Sequence, residues 1–176
     1  MQVIEISAPV FLRRARDHHQ IQNQVLEIIN SGKVRGSVGN GESISNTDYY
    51  LAEQFREPKG KAYWDLIFPS VQEHYTEIME LTGHKKWWVS NYWYQTYNYN
   101  DFHSMHVHAN CMYSNVYYLT LPNGSSKTTL KYFDKEFQIE VSEGDILTFP
   151  GLIQHGSNPH RSNSPKNVVA FNSNIV

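Results

Sequence analysis

The stretch YSNVYYLTLPNG, Tyr113 to Gly124, decides the fold. It is dense in aromatic residues, as strands are, and it stops at Pro122-Asn123-Gly124, a turn. Upstream, KKWWVSNYWYQTYNY (85–99) has the same character. Downstream come TTLKYF, FQIEV, DILTFP, LIQHGS and KNVVAFNSNIV, with turn residues between them. Short strands in such regular succession predict an all-β sandwich or barrel.

Ahead of Gly83 the pattern changes. Apolar residues at Ile21, Val25, Leu26, Ile28 and Ile29 recur at helical spacing and predict a helix over 16–29, ended by Ser31-Gly32. A second helix is expected over 62–81, stopping near Thr82-Gly83, with Asp65, Glu73, Glu77 and Glu80 on its solvated face. The span 32–48, rich in Gly, Ser and Asn, reads as a long loop and a candidate lid. The expected architecture is mainly β: an α-helical N-terminal layer on a barrel of jelly-roll type. It forms one domain over 1–176, with 1–84 as helical layer and loop and 85–176 as barrel core.

The 176 residues suffice for one domain with a sizeable core. Aromatics at 14% and charged residues at 18% point to a globular chain. A net charge of −2 gives no reason to expect a nucleic-acid or membrane surface. The start of the chain lacks the pattern of a signal peptide, and the lone Cys111 excludes an internal disulfide framework. A cytoplasmic location is the simplest expectation.

HSMHVHAN, His103 to Asn110, holds three of the nine histidines. On an extended segment, side chains two apart share a face. His106 and His108 can therefore reach one metal ion, whereas His103 would face away if the strand ran on unbroken. His155, at the end of a predicted strand and just after a turn, is the third candidate ligand. Three protein ligands on one face of an octahedral ion leave three positions open, which suits Fe(II) that must also bind a cosubstrate and O2.

The segments FHSMHVHANCMYSNVYYLTLP, VSEGDILTFPGLIQHGSNPH and NVVAFN together resemble the 2-oxoglutarate/Fe(II) oxygenases of bacteria and marine phages, distant relatives of prolyl 4-hydroxylases. The resemblance spans about 87–172. It implies a double-stranded β-helix, a cupin-like barrel around one Fe(II), with 2-oxoglutarate as cosubstrate and hydroxylation of a C–H bond as the reaction. It also implies a carboxylate two residues after the first ligand. Here His108 stands at that position, so the iron would carry one more unit of positive charge. Asp101, Asp134 and Asp145 lack the spacing to replace it and read as loop or turn acids. The resemblance further implies a basic partner for the far carboxylate of 2-oxoglutarate. Lys166 fits, opening a strand on which Val168 and Ala170 share its face; Arg161 competes with it.

A tyrosine hydroxyl could bond the cosubstrate as well, with Tyr97 and Tyr118 as candidates. Asn172 could bond near the site. Trp87, Trp88 and Trp93 are expected to pack between the helical layer and the barrel, and His18-His19 to lie on the surface. The substrate is expected to be a small molecule or a peptide, with no nucleic acid or membrane as partner. Two other readings stay open. One is a cupin-type three-His oxygenase or isomerase that does not use 2-oxoglutarate, although Met112 and Tyr113 stand where the first cupin motif has Glu. The other is a non-catalytic β-barrel binding module.

Overall fold

The computed structural model describes residues 7–32, 35–37, 43–49 and 61–176. The strands are β1 (Phe11–Arg14), β2 (Arg35–Ser37), β3 (Ser43–Thr47), β4 (Trp87–Tyr97), β5 (Phe102–His106), β6 (Tyr113–Thr120), β7 (Thr128–Tyr132), β8 (Lys135–Gln138), β9 (Asp145–Pro150), β10 (Gln154–Ser157) and β11 (Lys166–Ile175). The helices are α1 (His18–Ser31) and α2 (Ala62–Thr82). The strands form one antiparallel sheet in the order β1-β9-β6-β11-β4-β3-β5-β10-β7-β8, with β2 on β3. The sheet curls on itself as a jelly-roll, the double-stranded β-helix expected from the sequence.

Strand alternation divides the apolar residues between two cores. Tyr92 and Tyr94 of β4, Tyr117 and Leu119 of β6, Ile146 of β9 and Val169 and Phe171 of β11 point outward, where the helices cover them. Their neighbours Tyr97, Tyr118, Leu147, Phe149 and Val168 point into the barrel. A strand buried on both faces loses its polar alternation, which is why these segments read as nearly continuous apolar runs. The helices supply the outer cover. Val25 and Ile29 of α1 and Trp64, Ile67, Val71, Tyr75 and Ile78 of α2 pack on the sheet. Trp64 stacks on Tyr92 at 4.2 Å between ring centroids, and Tyr75 on Trp87 at 4.6 Å. Gly83 closes α2 in the left-handed region, its N–H donating to the Met79 carbonyl.

Several expectations change. The span 32–48 is not a plain loop: β2 and β3 lie within it, and β3 bridges β4 and β5. Residues 33–34 and 38–42, the rest of the candidate lid, lie outside the described residues. Residues 11–14 pair with β9. Four residues with two arginines give little strand signal. Charge anchors this edge instead, Arg13 bonding Glu73 and Glu77 of α2 and Arg14 bonding Asp145. His18 is buried rather than at the surface, its Nδ1 2.7 Å from the Tyr117 hydroxyl. Gly144 permits this, because it takes φ +85 and a Cβ there would stand 2.8 Å from the His18 ring. Trp88 is exposed, and Trp93 faces the barrel interior, where it lines a cavity. Among the described residues, no helix is long and apolar enough to cross a membrane.

Candidate metal centre

His106 ends β5 and lies opposite His155 of β10 across an antiparallel pair. His108 follows in the extended exit from β5, its N–H held by the Gly151 carbonyl at 2.8 Å. One ligand atom from each of His106, His108 and His155 lies within 4.8 Å of the others. The three residues proposed from the sequence are therefore together in the lining of a cavity of about 200 Å3.

The second nitrogen of each ring is already engaged. His106 Nδ1 bonds the Ser104 carbonyl at 2.8 Å and His155 Nδ1 the Ile153 carbonyl at 2.9 Å. His108 Nδ1 bonds the Asn172 side-chain oxygen at 2.6 Å. A carbonyl only accepts, so each Nδ1 carries the proton and each Nε2 is left with a lone pair. Two such lone pairs, on His106 and His108, stand 3.1 Å apart. With neutral rings this is not a hydrogen bond, since neither nitrogen has a proton to give. It is a convergence that a cation would relieve, and the donor set fits Fe(II), which imidazole ligates well. Burial is the first cause holding all three imidazoles below the usual histidine range, and it pushes His155 down to about 2.

Asn172, expected near the site, thus fixes the His108 ring, a partner that register decides: β11 sets Asn172 opposite Ser114, whose hydroxyl is also 3.0 Å from His108 Nδ1. Asn172→Leu should lower Fe(II) affinity by about 10-fold or more, read by competition with a chelator of known affinity. An unchanged affinity would mean that the ring needs no such anchor. Gly151 matters for a steric reason. A Cβ there would meet the His108 and Cys111 carbonyl oxygens at 2.8 Å. Gly151→Ala should cost about 1–3 kcal/mol in urea unfolding, and a wild-type midpoint would show that this turn can yield.

His103 departs from strand parity. Between Ser157 and His155, β10 advances two residues, while β5 advances three from His103 to His106, a β-bulge. The extra residue turns His103 back to the cavity, its ring centroid 4.2 Å from that of His106, although it is outside the three-nitrogen group. Burial, with His106, His108 and Lys166 adding to it, pushes His103 down to about 3.

Lys166 lies in the same cavity and is 2% exposed. Its ammonium donates to Ser157 Oγ at 2.7 Å, the Ser126 carbonyl at 3.0 Å and Ser126 Oγ at 3.1 Å, and sits 4.0 Å from the Tyr97 ring centroid. All three acceptors are neutral. Burial pushes its pKa down to about 7. Among the described residues lining this cavity there is no carboxylate, so a buried cation lacks a counterion there. Val168 and Ala170 share its wall. The other candidates are engaged differently. Arg161 bonds Asn100 and packs on Tyr99, outside the cavity lining. The Tyr97 hydroxyl donates to Gln95, and the fully buried Tyr118 hydroxyl donates to Thr128 Oγ1 at 2.6 Å. Asp101 accepts from the Asn98 N–H and Asp145 from the Ser142 N–H, so both hold turns.

No protein-family model matches the sequence, and no curated protein does. Solved structures do. A prolyl-4-hydroxylase of Pseudomonas putida superposes with a TM-score of 0.66 at 14% identity, covering 94% of this chain and 93% of that one. SnoN, a non-haem α-ketoglutarate-dependent epimerase from nogalamycin biosynthesis, gives 0.68 at 10% identity, covering 94% and 77%. A viral collagen prolyl hydroxylase from Paramecium bursaria Chlorella virus-1, solved with 2-oxoglutarate, gives 0.61 at 11% identity, covering 93% and 94%. The chain has the double-stranded β-helix fold of prolyl 4-hydroxylases and other 2-oxoglutarate/Fe(II) oxygenases.

Proposed function

We propose that the protein is a 2-oxoglutarate- and Fe(II)-dependent dioxygenase that hydroxylates a C–H bond of a small-molecule or peptidyl substrate. One observation carries the reading: a cluster of three lone-pair imidazoles shares one cavity with a buried lysine that has no carboxylate beside it among the described lining residues. His106, His108 and His155 hold the iron. Lys166 pairs with the far carboxylate of the cosubstrate, supported by the Ser157 hydroxyl and by the face of Tyr97 beneath it. When bound, iron and 2-oxoglutarate supply O2 activation coupled to decarboxylation, releasing succinate and CO2. The chain's own work is to orient the three rings, to keep a positive end for a dianion and to exclude water with Trp93, Phe149 and Val168. Structures of this fold include hydroxylases, an epimerase and a carbocyclase, and a Trichoplax adhaerens prolyl hydroxylase solved with a peptide supports a peptidyl substrate as one option.

The cavity lining without a carboxylate also suits a three-His oxygenase or isomerase that uses no 2-oxoglutarate. Lys166 favours the first reading. Anaerobic titration of Fe(II), with and without 2-oxoglutarate, separates the two. The proposal expects a visible metal-to-ligand charge-transfer band that needs both, and succinate release when O2 is admitted. Iron binding with no band and no succinate would leave the three-His alternative.

A further inference from the structure

Gln95, on β4, is the centre of a hydrogen-bonded row. The Tyr97 hydroxyl donates to its Oε1 at 2.8 Å, which leaves its amide Nε2 to donate to His103 Nδ1 at 3.0 Å. A ring whose Nδ1 accepts carries its proton on Nε2. His103 therefore has the opposite tautomer from His106, His108 and His155. Those three are arranged to ligate, and His103 is arranged to donate. No partner for its Nε2–H is present among the described residues.

Its position says what that proton faces. His103 pairs with Ser157, the residue whose hydroxyl accepts from Lys166, and its ring lies against His106. The same row ends at Tyr97, whose ring carries the lysine ammonium. His103 thus stands between the triad and Lys166. His108 also lines a second, polar recess, together with Tyr49, Ser90, Asn91 and Asn172. The bulge in β5 is what turns His103 inward, and it costs the sheet one unpaired residue.

We infer that His103 contacts the cosubstrate, its Nε2–H donating to an oxygen of the 2-oxo acid held between the triad and Lys166. The inference rests on the oxygenase reading. Gln95 and Tyr97 are positioning residues that fix the tautomer.

The test uses the Fe(II)-loaded protein without O2, comparing wild type with His103→Phe, which keeps a ring of similar shape but no donor, and His103→Gln, which keeps a donor. His103→Leu serves where the Phe variant does not fold. Fe(II) affinity should hold in all of them. The 2-oxoglutarate Kd should rise about 10-fold or more in His103→Phe, with a displaced charge-transfer band, and His103→Gln should recover most of the affinity. An unchanged Kd and band in His103→Phe would overturn the inference. So would a fall in Fe(II) affinity, which would make His103 a ligand instead. Wild type that binds Fe(II) but no 2-oxoglutarate fails at an earlier step: the oxygenase reading falls, and this inference with it.

Discussion

Lys166→Met is expected to do two opposite things: weaken 2-oxoglutarate binding and make the ligand-free protein more stable. The lysine is buried against three neutral oxygens, with its pKa pushed down to about 7 from 10.5. The protonated side chain therefore favours the unfolded state. The shift corresponds to about 5 kcal/mol below pH 7. Freed acceptors take back about 1–3 kcal/mol, so a net gain of about 2–4 kcal/mol is expected near pH 6. The sign of the pH dependence follows. Between the folded pKa near 7 and the unfolded value of 10.5, the unfolded chain binds the extra proton. Wild-type stability should thus rise with pH across that window relative to the variant. Binding runs the other way. An anion needs the ammonium, so 2-oxoglutarate affinity should fall as pH climbs above 7 and binding should take up a proton. The variant should lose about 10- to 100-fold in affinity and this pH dependence with it. Urea unfolding and calorimetry in buffers of different ionisation heat read both effects. A variant less stable than wild type at pH 6, with unchanged cosubstrate affinity, would make Lys166 an ordinary structural residue.

The second large effect belongs to the histidines. Loss of a partner behind a metal ligand costs about 10- to 100-fold in metal affinity, so loss of a ligand should exceed about 100-fold. His106→Ala and His155→Ala are each expected to cross that mark. His108→Asp should still bind Fe(II), because a carboxylate can occupy the same seat and adds a charge the iron favours. If His108→Ala binds iron as wild type does, the position holds no ligand. Trp88→Ala, at an exposed site away from the cavity lining, is the control and should leave binding unchanged.

The barrel and the triad were legible because both depend on short-range periodicity. Strand parity puts His106 and His108 together, and a turn before His155 returns it to them. Lys166, Val168 and Ala170 sharing one wall follows from the same rule. What escaped depends on pairing between distant strands. The inward turn of His103 requires counting residues on β10 against β5. Asn172 is placed near the site by the sequence, but that its partner is His108 requires the register of β11 on β6. His18 is buried only because a glycine far along the chain makes room for its ring. The edge strand at 11–14 is too short and too charged to announce itself, and Arg161 could be separated from Lys166 only by seeing which of them reaches the cavity.

The central claim is that three imidazoles share one cation. X-ray absorption on the anaerobic Fe(II)-loaded protein counts them directly. One iron per chain is expected, with three imidazole nitrogens in its first coordination sphere, falling to two in His155→Ala. Iron bound by two imidazoles or fewer in the wild type, or no stoichiometric iron at all, would contradict it.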